Sequence, residues 1–168
     1  GYRMDTLEKN RAIQMLQSGV YVLTAQAEED KAVATVVSWV TQASFSPPLV
    51  VVALRVGSRI HGIVQQACAF TINILDRQHT GVARSFFEPV WEKSGTLAGQ
   101  RFDNGSSGAP VLECATGYLE CSLDLCLEKG DHSIFVGQVV DAGIHGSIEG
   151  RPDEVSLQLR DFGVYYGG

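Results

Sequence analysis

The sequence predicts a mainly β fold with short helices, arranged as an antiparallel Greek-key barrel. Three observations lead there. Six or more apolar segments of strand length recur at hairpin spacing, and only three stretches show helical spacing. No glycine-rich GxGxxG or GxxxxGK[ST] turn opens a helix, which removes the Rossmann and P-loop alternatives. The 168 residues suit a single domain spanning 1–168, with room for a sizeable core, whether it stands alone or is cut from a longer chain.

In chain order, Asp5 caps a helix with Glu8 three residues on and Leu7, Ile13 and Leu16 at near-helical spacing, running to about Gln17 before Gly19. Val20 to Ala25 reads as a strand, Glu28-Glu29-Asp30-Lys31 as a solvated hairpin turn, and Ala32 to Val40 as the return strand. Beyond Pro47-Pro48, Leu49 to Leu54 is a strand. Ser58 then caps a helix whose Ile60, Ile63, Val64 and Ala67 form an amphipathic stripe. Phe70 to Leu75 is a strand, and Thr80 to Phe87 a short helix stopped by Pro89. Lys93 to Ala109, rich in Gly, Ser and Asn, is long for a turn and is expected to be a functional or dimer-covering loop. From Tyr118 the alternation places Leu119, Cys121, Leu123, Leu125 and Leu127 on one face. Ile134 to Val140 and Val155 to Leu159 complete the strands.

Composition excludes several functions. The longest apolar run, Leu49 to Leu54, is far short of the roughly 20 residues that span a bilayer, so no membrane association is expected. A net charge of −6 opposes nucleic-acid binding, and any bound phosphate must be held locally. Cys68, Cys114, Cys121 and Cys126 lack zinc-site spacing, which implies reduced core thiols, no metal and a cytoplasmic setting.

Three clusters invite chemistry. Ser38 to Phe45 places Thr41, Gln42 and Ser44 between apolar strands, which suits a ligand rim where the chain leaves the ladder; an ordinary strand end before Pro47-Pro48 fits the same residues. Ser58, with Arg59 and His61, suits a phosphate at a helix start or a plain cap. His132, after the Gly130-Asp131 turn, stands at a barrel mouth or on the surface. No nucleophile–histidine constellation is present, and a bound flavin would not need one.

Together "GVYVLTA" (19–25), "SWVTQASFSPPLVVVAL" (38–54), "FTINIL" (70–75), "GAPVLECATGYLEC" (108–121) and "GDHSIFVGQVVDAG" (130–143) resemble the flavin reductase-like family of FMN-binding split β-barrels across nearly the whole chain. The "SWVTQASF" form is similar to the flavin reductase module of some diiron flavoproteins. The resemblance implies a homodimer with FMN, or else FAD, in a groove near the subunit boundary. Ser38, Trp39, Val40, Thr41, Gln42 and Ser44 would line the isoalloxazine, and Ser58 would take the phosphate. Ile60 replaces a threonine frequent in the family, so Arg59 or His61 would compensate. His132 would border the nicotinamide of NADH or NADPH, and Tyr165 or Tyr166 would lie near the site. The implied activity is that of an NAD(P)H:flavin oxidoreductase passing a hydride from nicotinamide C4 to flavin N5. The alternatives are an FMN-binding redox carrier serving an electron-acceptor protein or fused diiron domain, and a split barrel binding another ligand such as haem.

Overall fold

A computed structural model describes residues 3–27 and 31–168; Glu28, Glu29 and Asp30 of the expected turn lie outside the described residues. Helix α1 (Thr6–Gln14) is capped by Asp5, whose carboxylate accepts from the Glu8 N–H at 2.9 Å, and it ends short of the expected Gln17. It buries none of its residues.

The main sheet comprises β1 (Tyr21–Ala25), β2 (Val33–Val37), β3 (Val40–Ser44), β4 (Leu49–Arg55), β5 (Ala69–Ile74), β6 (Val90–Trp91), β9 (Gly117–Leu127) and β10 (His132–Ile144), with β7 (Phe102–Asn104) and β8 (Pro110–Leu112) forming a separate ribbon. All pairs are antiparallel, in the order β3-β4-β10-β9-β5-β1-β2-β6. The β9–β10 hairpin thus sits between the sequential strands β4 and β5, which are joined through helix α2 (Arg59–Ala67); that long return has Greek-key character.

The sheet curls around an apolar cluster that includes Leu23, Val52, Phe70, Ile72 and Phe135, and α2 fills one end with Ile60 and Val64. A second cluster, with Val22, Phe86, Leu97, Leu112, Leu157 and Phe162, packs outside β1 and β2. Burial on both faces explains why β1 and β2 read as near-continuous apolar runs.

Several sequence expectations change. The strand expected over Ala32 to Val40 divides: the chain turns at Ser38-Trp39, where the Trp39 carbonyl accepts from the Ala53 N–H at 3.0 Å, and β3 begins. Thr41, Gln42 and Ser44 do not leave the ladder but pair with Val51, Val50 and Leu49 as an edge strand, with a register shift between Gln42 and Ser44. Val155 to Leu159 is no strand: the short α4 (Pro152–Val155) is followed by single bridges at Ser156 and Gln158 and a 3₁₀ turn at Leu159–Phe162. The helix expected over Thr80 to Phe87 closes as α3 (Thr80–Arg84). The Lys93 to Ala109 segment is tight turns leading into the β7–β8 ribbon, with Leu97 and Ala109 buried, so it supports the second cluster rather than standing free.

The β9 alternation fails at one place. Leu125 faces Val136 and Leu123 faces Gly137, so Asp124 is an extra, unpaired residue and the strand bulges there. Leu119 and Leu123 pack on the core, but beyond the bulge Cys126 turns inward while Leu125 and Leu127 are about half exposed, at 53% and 52%. Gly137 opposite is required by close packing, because a Cβ there would stand 2.6 Å from Phe70 and 2.7 Å from Cys121.

Candidate functional site

The turn at Ser38-Trp39 places Trp39 beside the end of β4, the start of β10 and the tail after Phe162. Two cavities flank it. One, of about 400 Å³, is lined by Val37, Leu54, Arg55, Ser58, Ile60 and His132 among others; the second, of about 740 Å³, runs along Val40, Thr41, Val51 and Ala53 towards α1. Ser38, Trp39 and Tyr166 line both, making one crevice with an aromatic divider.

Ser58 adopts extended backbone and caps α2: its Oγ donates to the Arg55 carbonyl at 2.7 Å and accepts from the His61 N–H at 3.4 Å. The first N–H groups of α2 have no intrahelical partner, and together with the helix dipole they favour an anion beside Ser58. Arg55, exposed at the end of β4 and paired in register with His132, adds a cation at the same rim. Sequence reasoning missed Arg55, whose only signal is its place as the first charge after an apolar strand and three residues before the cap.

The structure separates the remaining expected residues. The Arg59 guanidinium lies over the Trp91 ring, 5.7 Å from its centroid, and lines neither cavity. The His61 side chain points inward, its Nε2 2.8 Å from Ser133 Oγ and its ring edge-on to Phe135, because Ile60, His61 and Val64 form the buried face of α2. Neither the Arg59 nor the His61 side chain lines the cavity beside Ser58, where the sequence placed them to compensate for Ile60. Gln42 and Ser44 line neither cavity, so the rim shortens to Ser38, Trp39, Val40 and Thr41. His132 reaches the crevice, with Nδ1 2.8 Å from Asp131 Oδ1 and Nε2 2.6 Å from the Tyr166 hydroxyl. The hydrogen bond from His132 holds the Asp131 carboxyl below its usual range. The Trp39 ring lies against His132, with centroids 4.4 Å apart and planes tilted by 43°, and its indole N–H donates to the Tyr166 carbonyl at 2.8 Å.

Although sequence spacing suggested no metal site, His61, Cys126 and Glu128 bring ligand-type atoms within 4.8 Å of one another, bridged by the Gln65 amide, which contacts both the thiol and the carboxylate. Their meeting follows from the Asp124 bulge, which turns Cys126 inward.

A family model described as "Flavin reductase like domain" matches residues 13–163, which is most of the chain. The chain belongs to the flavin reductase-like family. It is mainly β with few short helices, as its sequence led one to expect. It is 32% identical over 157 residues to diflavin flavoprotein A 1 of Synechocystis, covering 93% of this chain and 26% of that protein. It is 33% identical to the reductase component of a Rhodococcus opacus 4-nitrophenol 4-monooxygenase/4-nitrocatechol 2-monooxygenase, covering 83% of this chain and 72% of that protein. Among solved structures, the NADH:FAD oxidoreductase SgcE6 of Streptomyces globisporus C-1027 superposes with a TM-score of 0.68 at 27% identity, over 86% of this chain and 87% of that one. The chain spans about a quarter of the length of the diflavin flavoproteins it matches.

The crevice of this flavin reductase-like domain suits a flavin. Each of its two cavities, about 400 and 740 Å³, lies in the range of small-molecule sites, about 300–1,000 Å³. Apolar Val37, Leu54, Ile60 and Phe87 form walls for a flat ring, and polar groups gather at one end, around Ser58.

Proposed function

We propose that this domain binds FMN in the crevice and accepts electrons from NADH or NADPH. The observation that carries the reading is that Ser38-Trp39 and Ser58, twenty residues apart in sequence, line the same cavity, so a ring site and a phosphate site lie at one molecule's reach. FMN, when bound, supplies the hydride-accepting chemistry. Ser58 and the first N–H groups of α2 hold the phosphate, and Arg55 adds charge. Ser38, Trp39, Val40 and Thr41 lie against the ring system. His132 orients the nicotinamide, held by Asp131 from behind; it abstracts no proton, since hydride transfer requires none from the donor. The His132→Ala variant is expected to slow anaerobic reduction of bound FMN while leaving FMN affinity within about twofold, and unchanged reduction kinetics would remove His132 from the site.

A second copy of the chain is the proposed partner. Leu125, Leu127 and Ile134 form an exposed apolar patch on the outer face of β9 and β10, and Leu7 on α1 and Leu16 just after it are uncovered. The length of the diflavin relatives also favours a second reading, in which the domain passes electrons to an adjoining flavoprotein segment. Four free thiols accord with a reducing, cytoplasmic setting, and among the described residues no helix is long and apolar enough to cross a membrane.

A further inference from the structure

Beyond Gly163, which closes the 3₁₀ turn with φ +66°, the tail crosses the crevice. Its main chain is tied at three points: the Trp39 indole donates to the Tyr166 carbonyl at 2.8 Å, Gln14 Nε2 to the Gly167 carbonyl at 3.3 Å, and Lys9 Nζ to the Gly168 carbonyl at 3.0 Å. Among the described residues the Tyr166 side chain has one polar partner, His132 Nε2, at 2.6 Å. Asp131 Oδ1, 2.8 Å from His132 Nδ1, accepts the proton of that nitrogen, which leaves Nε2 as the acceptor for the Tyr166 hydroxyl in the tautomer this pairing selects. The Tyr166 ring lies 5.0 Å from Trp39 and 5.7 Å from His132, centroid to centroid. It therefore supplies at this place a flat face and a hydrogen-bond donor, the two features that a nicotinamide carboxamide also presents.

We propose that Tyr166 is a built-in competitor for the acceptor Nε2 of His132: it occupies that atom in the free protein and yields it to a ligand that offers both a flat ring and an N–H donor, so that Tyr166 sets the affinity and His132 Nε2 the choice between ligands. This rests on the dinucleotide reading above. The ring is 46% exposed, so it has open solvent to turn into while its main chain stays tied to Trp39. His132, by contrast, has a side chain only 10% exposed, and its Nε2 needs a replacement partner once Tyr166 departs. A carboxamide N–H exchanges one hydrogen bond for another. A ring without a donor breaks the Tyr166 bond and restores nothing, so it is discriminated against by the worth of one hydrogen bond.

The test is calorimetric binding, without turnover, to the FMN-loaded protein. The ligands are NAD⁺ or NADP⁺, whichever binds more tightly, and its 3-acetylpyridine analogue, in which a methyl ketone replaces the amide. The wild type is expected to favour the amide form by about threefold to tenfold. Tyr166→Phe is expected to tighten both ligands by a similar factor and to keep their ratio, because it removes a competitor and not the acceptor. His132→Ala is expected to bring the ratio close to unity. A Tyr166→Phe protein that binds no more tightly than wild type, or a ratio that survives in His132→Ala, overturns the inference while leaving dinucleotide binding intact. Failure of every variant to bind either ligand, with FMN still bound, defeats the dinucleotide reading and this inference with it.

Discussion

Ser58→Ala separates the two tasks assigned to one hydroxyl. As a helix cap its bond to the His61 N–H is long, 3.4 Å, so the loss to the fold sits near the lower end for caps, about 0.5–1 kcal/mol, which lowers the melting temperature of a chain this size by about 1–4 °C. As a phosphate ligand its one hydroxyl proton leaves the Arg55 carbonyl for a charged acceptor, so the gain is the difference between a charge-assisted and a neutral hydrogen bond, about 1–1.5 kcal/mol, which corresponds to roughly fivefold to tenfold weaker FMN binding. Ser58→Gly is the companion, because glycine caps within a few tenths of a kcal/mol of serine and yet lacks the hydroxyl. Urea unfolding of the FMN-free protein and titration by flavin fluorescence give the two quantities. A measurable loss of stability in Ser58→Ala but little in Ser58→Gly, with similarly weakened FMN in both, is expected. FMN affinity within about twofold of wild type in both would refute the placement of the phosphate at Ser58.

Burial, helped by the charge of Glu120, pushes the Cys121 thiol up to about 12 from 9.0. The unfolded chain therefore loses that proton first, and stability fully present below pH 9.0 declines as pH rises towards 12, by at most about 1.4 kcal/mol per pH unit from this group. Cys121→Ala should flatten the alkaline fall measured by urea unfolding. Thiol labelling of the native protein should modify exposed Cys68 first and Cys121 only after unfolding. Leu127→Asp places a charge on the apolar outer face and should convert a dimer to a monomer by light scattering; a wild type that is already monomeric, or a variant that stays dimeric, contradicts the proposed partner surface.

The sheet was legible where a strand keeps one parity and one partner. β1, β4 and β5 fall within a residue or two of expectation, because apolar runs bounded by turn residues leave few alternatives. Leu125 and Leu127 were misplaced because a bulge at Asp124 reverses parity without any mark in the alternation itself. Ser38-Trp39 was read through as strand, since the turn there depends on the Ala53 N–H reaching the Trp39 carbonyl, a contact between distant residues. The site was half legible. Ser58 was visible as a cap and His132 as a turn histidine, and both line the crevice. His61 was not, because the phase of α2 that buries Ile60 and Val64 carries the imidazole inward with them. Arg55 was hidden by lying at a strand end, where only the pairing with β10 brings it beside His132.

The most direct measurement is the visible spectrum of the FMN-reconstituted protein before and after anaerobic addition of NADH or NADPH. A bound-flavin spectrum that bleaches within the mixing time of a steady-state assay, with one dinucleotide more effective than the other, is the predicted result. No flavin retained after reconstitution would contradict the cofactor site, and a retained flavin that neither dinucleotide bleaches would contradict the reductase reading in favour of a carrier reduced by its protein partner.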